Sequence, residues 1–163
     1  MLTPAIDAAT YEGSVAVLRD GTVVAERTTP MRGMHEERLM PAVAEALAEA
    51  GVAPTAQDRI VCGEGPGSFS GLRIAGAIAK GMAAGIGRPL HAVSSLALMV
   101  AAAPREPGSY LAVLGALRGE MYVQRVSVGD EGLAAPEGEH ALVAESHLST
   151  LAEAECLSTG GAA

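Results

Sequence analysis

Hydrophobic and polar positions alternate in short runs at the start of the chain and then change period. Leu2–Asp7 is a short apolar run, and Ser14–Asp20 ("SVAVLRD") is a second. Asp20-Gly21 is a hairpin turn signal, and "TVVAERTT" reads as the returning strand. Three antiparallel strands are therefore predicted to open the chain. From His35 the period becomes helical. Leu39, Val43 and Leu47 form one stripe, Met40, Ala44 and Ala48 lie beside it, and Glu36, Glu37, Glu45 and Glu49 are mostly turned elsewhere. Gly51 ends this helix, and Glu36 and Glu37 lie near its positive dipole end.

"DRIVCG" then reads as a buried strand leading into "GEGPGSFSGLRIAGAIAKG", Gly63 to Gly81. A second helix is predicted from about Gly71 to Gly85, a strand in "RPLHAVS", and a third helix in "SSLALMVAAA" with Ser94 or Ser95 as its N-cap. "APREPGS", Ala103–Ser109, breaks the pattern with two prolines and a glycine. It marks the expected boundary between a first lobe, 1–104, and a second, 105–163. "YLAVLGAL" and "GEMYVQRVSV" read as a hairpin or meander, followed by a weak helix around Glu145–Ala154. Strands with interspersed helices predict an α/β fold, a mixed sheet flanked by helices.

Composition narrows the function classes. Of 163 residues 49% are apolar, but the aromatics are only one Phe and three Tyr, so the core must be aliphatic. The net charge of −8 and a single lysine, Lys80, argue against a stand-alone nucleic-acid binder, because phosphate neutralisation needs clustered cations. Cys62 and Cys156 are too few for a disulfide framework or a cysteine zinc site. No signal peptide and no apolar run of membrane-spanning length is apparent, which predicts a cytoplasmic protein.

The glycine-rich block has two readings. Gly65, Gly67 and Ser68 before a helix could hold a phosphate. The spacing matches neither the P-loop nor the dinucleotide fingerprint, and Glu64 would bring a negative charge to the phosphate. The other reading is a sharp strand-to-helix turn anchored by Phe69. In the helix that follows, Ile74, Ile78, Met82 and Ile86 recur every four residues, with Ala75, Ala79 and Ala83 alongside and Gly76, Gly81 and Gly85 thinning the surface. That pattern is apolar around most of the circumference, more than one sheet face covers. It predicts a second buried face against another subunit, with Ala75, Ile78, Ala79 and Met82 as interface residues.

"IDAAT", "SVAV", "HEERLMP", "GEGPGSFSGLRIAGAIAKG", "VSSL" and "RGEMY" occur in the order and spacing of the TsaB (YeaZ) family, which this chain resembles over nearly its whole length. The resemblance implies the actin-like fold shared with sugar kinases and Hsp70 proteins. It implies a role in making threonylcarbamoyladenosine in tRNA, as the non-catalytic partner of the paralogue TsaD, with the ATPase TsaE binding the pair. Pairing through the first two helices is implied too, which adds Leu39, Val43 and Leu47 of the first helix to the interface, with a homodimer when the chain is alone. ATP and metal are expected on the partner subunits and tRNA contact only through the complex. Family members continue well past this chain's last residue, so an incomplete second lobe is expected.

The same resemblance places Asp7 and Thr10 in the hairpin where actin-like folds hold phosphate and direct magnesium. With Gly65, Gly67 and Ser68 they form a vestigial nucleotide site at most. Family members carry an Asp at the position of Gly115 and a basic residue at Leu117, whereas Arg118, Gly119, Glu120 and Tyr122 are retained. Half a cleft predicts no catalysis by this chain alone. The catalytic paralogue pairs two histidines four apart on a helix; here the residue four after His35 is Leu39, and His91, His140 and His147 show no such pairing. No metal ligands are predicted. A small-molecule kinase or ATPase of the same fold is the alternative, and a metallopeptidase-like relic a distant third.

Overall fold

The computed structural model describes residues 1–31, 38–102, 106–152 and 156–159. The chain divides into two compact units, Met1–Val93 and Ser94–Ala163.

The first unit is built on a five-stranded mixed sheet in the order β3-β2-β1-β4-β5. Its strands are β1 (Leu2–Asp7), β2 (Glu12–Arg19), β3 (Thr22–Pro30), β4 (Ile60–Gly63) and β5 (Leu90–Val93). The three opening strands are antiparallel, as their alternation and the Asp20-Gly21 turn require, while β4 runs parallel to β1 and β5 parallel to β4. Parallel neighbours need crossover connections, which α1 (Leu39–Glu49) and α2 (Phe69–Ile86) supply. Both helices share one core with the sheet: Ile6, Val15, Val17, Ile60 and Cys62 lie under Leu39, Val43 and Leu47 of α1 and Ala75, Ala79 and Ala83 of α2. The predicted start of α1 at His35, with Glu36 and Glu37, lies outside the described residues; the observed helix begins at Leu39.

Between α1 and β4, Gln57 is 1% exposed, and neither its Oε1 nor its Nε2 has a hydrogen-bond partner. An unpartnered buried amide costs about 1–3 kcal/mol. The near-isosteric Gln57→Met is therefore expected to raise the midpoint of a urea melt, with a gain on the order of 1 kcal/mol. A lowered midpoint would show that the amide is satisfied.

In the second unit α3 (Ser95–Ala101) packs on β6 (Gly108–Gly115) and β7 (Glu120–Val128). Leu96, Ala97 and Val100 meet Tyr110, Ala112, Leu114, Val126 and Val128. The boundary thus falls between Val93 and Ser94, not after residue 104, because the apolar face of α3 is covered by the strands that follow it. Ser94 is the N-cap, accepting from the Ala97 N–H at 3.2 Å, and its hydroxyl also donates to buried Gln124. Completing the sheet are β8 (Ala134–Pro136) and β9 (Ala141–Ala144), both paired with β7, and β10 (Cys156–Thr159), parallel to β6. The weak helix around Glu145 is a single 3-10 turn, Glu145–His147, leading into α4 (Leu148–Ala152). Among the described residues no helix is long and apolar enough to cross a membrane.

Candidate functional site: the glycine loop and the two-helix face

The loop between β4 and α2 lies directly on the turn between β1 and β2. Asp7 closes that turn, its Oδ1 accepting from the Ala9 N–H at 3.0 Å. Thr10 Oγ1 donates to the Glu12 carbonyl at 2.9 Å and accepts from the Glu12 N–H at 3.2 Å. The Ser68 N–H donates to the Ala9 carbonyl at 2.7 Å. Ser68 also caps α2, its Oγ accepting from the Gly71 N–H at 3.3 Å.

Two glycines permit this contact. A Cβ on Gly67 would lie 2.3 Å from the Ala9 carbonyl oxygen, and one on Gly71 2.1 Å from that of Ala8. Asp7, Thr10, Gly65, Gly67 and Ser68 are therefore gathered at one end of the sheet. The Ser68–Ala9 bond joins the loop to the turn, and the Asp7 and Thr10 bonds shape the turn itself.

Phe69 does not anchor the loop. Its ring is 73% exposed, under the Arg73 guanidinium at 5.1 Å, and the anchoring is done by Ser68 and the glycine backbone. Cys62 is buried beneath α2 and donates to the Gly63 carbonyl at 3.4 Å. Burial first, and the Asp7 charge second, push its thiol pKa up, against a smaller opposing pull from Lys80. It is held as a protonated core thiol.

The interface residues expected from sequence need correction. Leu39, Val43, Leu47, Ala75 and Ala79 are buried in the first unit's own core, and Ile78 and Met82 are half-buried against it. The reason is steric: the alanine face lets α2 approach the sheet closely, and the larger Ile78 and Met82 fill the flanks of that contact. The outward surface is made by other residues. On α1 it presents Met40, Ala44, Glu45, Ala48 and Glu49; on α2 it presents Arg73, Ala77, Lys80, Gly81 and Ala84. Sequence reasoning missed the α2 set. Its signal was there, since Arg73, Ala77, Lys80, Ala84 and Arg88 fall on one helical stripe that alternates cations with alanine.

In the second unit, Gly115 ends β6 opposite Met121, and Leu117 is 75% exposed in the turn where Arg118 and Gly119 take positive φ. His140 packs edge-on against Tyr122, with centroids 6.1 Å apart. Among the described residues no group of three or more His, Cys, Asp or Glu could hold a metal ion. His35 lies outside them.

Comparisons with known proteins agree with this architecture. Residues 22–160 match the family model "TsaD: tRNA N6-adenosine threonylcarbamoyltransferase". A Bacillus subtilis relative, "tRNA threonylcarbamoyladenosine biosynthesis protein TsaB", is 38% identical over 118 residues, covering 72% of this chain and 52% of the relative. The solved structure "YeaZ from Pseudomonas aeruginosa" superposes with a TM-score of 0.79 at 34% identity, over 88% of this chain and 67% of that one. A ROK hexokinase from Thermus thermophilus, at TM-score 0.50 and 18% identity over 85% of this chain and 50% of its own, shares the actin-like fold alone. The chain spans about half the length of the curated relatives it matches.

Proposed function

This chain belongs to the TsaB (YeaZ) family, and from that premise we propose that it is a non-catalytic partner subunit in making threonylcarbamoyladenosine in tRNA. It docks the catalytic TsaD paralogue, and TsaE joins the pair. The observation that carries the non-catalytic reading is the use made of the glycine loop. The Ser68 N–H and the close approach of Gly67 and Gly71 serve contact with the β1–β2 turn, and the Ser68 hydroxyl caps α2. The motif builds the lobe, and Gly115 supplies no second carboxylate for a magnesium site. ATP and metal therefore belong on the partner subunits. RNA is held by the complex, since a chain of charge −8 with one lysine lacks the cations to bind it unaided. That work places the protein in the cytoplasm.

The alternative, a kinase or ATPase of the same fold, requires magnesium-dependent ATP turnover by the isolated chain that disappears in Asp7→Ala. We expect none. Docking is tested on the outward face. Ala77 is exposed on α2, so Ala77→Glu is expected to fold normally and to lose capture by the TsaD paralogue at least tenfold. Undiminished capture by a folded Ala77→Glu would remove this face from the interface.

A further inference from the structure

The chain has two glutamines and no asparagine, and it buries both glutamines. Gln124, 6% exposed, is engaged at both ends of its amide: Oε1 accepts from the Ser94 hydroxyl, and Nε2 donates to the Gly138 carbonyl at 2.9 Å. Gln57 has no partner at either end. Among the described residues its Oε1 and Nε2 are the only buried side-chain nitrogen or oxygen atoms in that condition. A leucine or a methionine would occupy a similar volume without the desolvation that the amide suffers. The closed state therefore carries a defect at a single residue.

Gln57 belongs to the connection between α1 and β4, and residues 53–56 just before it are exposed throughout. Both ends of this stretch are fastened. Val52 is buried in the core, and its N–H donates to the Leu47 carbonyl at 2.9 Å. Asp58 grips the start of β1 twice: its N–H donates to the Leu2 carbonyl at 3.0 Å, and its Oδ2 accepts from the Leu2 N–H at 2.7 Å. Between these anchors the Ala56 N–H donates to the Ala53 carbonyl at 2.9 Å, which folds 53–56 into a turn. The neighbouring elements have fastenings of their own. Arg19 Nη2 donates to the Ala50 carbonyl at the end of α1 at 3.0 Å, Arg59 Nε to Thr3 Oγ1 at 3.1 Å, and the Ile60 N–H to the Pro89 carbonyl at 2.9 Å.

Residues 53–57 are thus a strap laid between two anchors. Ala53, Pro54, Thr55 and Ala56 stay exposed and remove little apolar surface from water, so they gain little by lying closed. Gln57 is buried at a loss, and lifting the strap returns its amide to water. A segment opens by itself when it gives up little buried contact, while elements held by other bonds stay folded. We propose that 53–57 lifts as a unit between Val52 and Asp58, a conformational device built into the first unit, with Gln57 as the residue that weights it toward opening. The unpartnered amide raises the open population about fivefold or more over an apolar side chain of similar size. Opening presents a donor and an acceptor to solvent beside the start of β1, where the closed strap hides both.

With two glutamines and no asparagine, the nitrogen-15 spectrum of the chain contains two side-chain amide pairs, Gln57 and Gln124, which makes the test direct. Their exchange with water is measured at rising urea below the unfolding transition. The Gln57 pair is expected to exchange at least tenfold faster than the Gln124 pair, at a rate that urea does not change, because a local lift exposes little new surface. The Ala56 N–H should follow the same route, while the Val52 and Asp58 N–H groups, on the anchors, stay protected like those of Val15 and Val17 in β2. Gln57→Met is expected to slow Ala56 exchange about fivefold or more, and Gln57→Leu to act in the same direction. A Gln57 pair no faster than that of Gln124 would overturn the strap, and this measurement needs no substitution. So would Ala56 exchange that is unmoved or quickened in both variants, since the amide would then be satisfied where it lies. Exchange of Ala56 together with Val15 and Val17, rising steeply with urea, would mean that the segment opens only when the whole unit unfolds.

Discussion

Ala79→Glu is expected to unfold the first unit, while Ala77→Glu, two positions earlier on the same helix, leaves its melt almost unchanged. Ala79 is 0% exposed, in the core shared by α1, α2 and the sheet, and Ala77 is on the outward side. A glutamate at 79 adds a methylene and a carboxylate, four heavy atoms beyond Cβ, to the aliphatic core cluster. An uncompensated buried charge costs about 3–5 kcal/mol, overpacking adds about 1–3, and the whole stability of a domain is only about 5–15. Protonation of the carboxyl relieves part of the charge cost but none of the volume. The circular-dichroism melt decides the matter: a cooperative transition for Ala79→Glu near that of the unsubstituted chain would return this face to the surface. The same substitution at 77 tests docking, because only there does the chain stay folded.

This contrast shows where the sequence was legible. The three antiparallel strands, the first two crossover helices and the start of α3 follow from patterns that one element carries by itself: period-two alternation, the Asp20-Gly21 turn, the helical stripes and the cap at Ser94; the family resemblance rests on motifs kept in order along the chain. Which face of α2 is inside does not follow. Its isoleucines and its alanines both form stripes, and larger residues normally mark the core. Here the alanines face the sheet because the backbone of α2 presses on the β1–β2 turn, and a helix held that close leaves room only for small side chains. That proximity is tertiary, so single-helix periodicity could not reveal it. The same holds for the lobe boundary. The Pro-Gly break at Ala103–Ser109 is real punctuation, but α3 packs forward onto β6 and β7, so the compact unit begins before the break. β8, β9 and β10 went unread because they are three or four residues long and borrow their register from β7 and β6.

Gly71→Ala is expected to be among the most damaging single-methyl additions in the first unit, and Gly76→Ala, on the same helix, to stabilise it. Gly71 has no backbone conformation that demands glycine, and in an ordinary helix its replacement by alanine gains about 0.5–1 kcal/mol. The new Cβ, however, would lie 2.1 Å from the Ala8 carbonyl oxygen and 3.3 Å from its carbon. The obstacle is backbone, fixed by the register of β1 on β2 and β4, so no rotamer change relieves it. Either α2 lifts at its first turn, breaking the Ser68–Ala9 hydrogen bond and opening the alanine contact behind it, or β1 shifts. Lost packing of this kind costs about 2–5 kcal/mol when a core side chain is undone, far beyond the helical gain. Gly76 has nothing within 4 Å of its added Cβ, so there the propensity gain of roughly 0.5–1 kcal/mol stands alone. Paired urea melts of the two variants separate a glycine needed for contact from one that is only tolerated. Equal, small shifts in both would mean that the loop is not pressed on the turn, and the structural account of the glycine motif would fall with them.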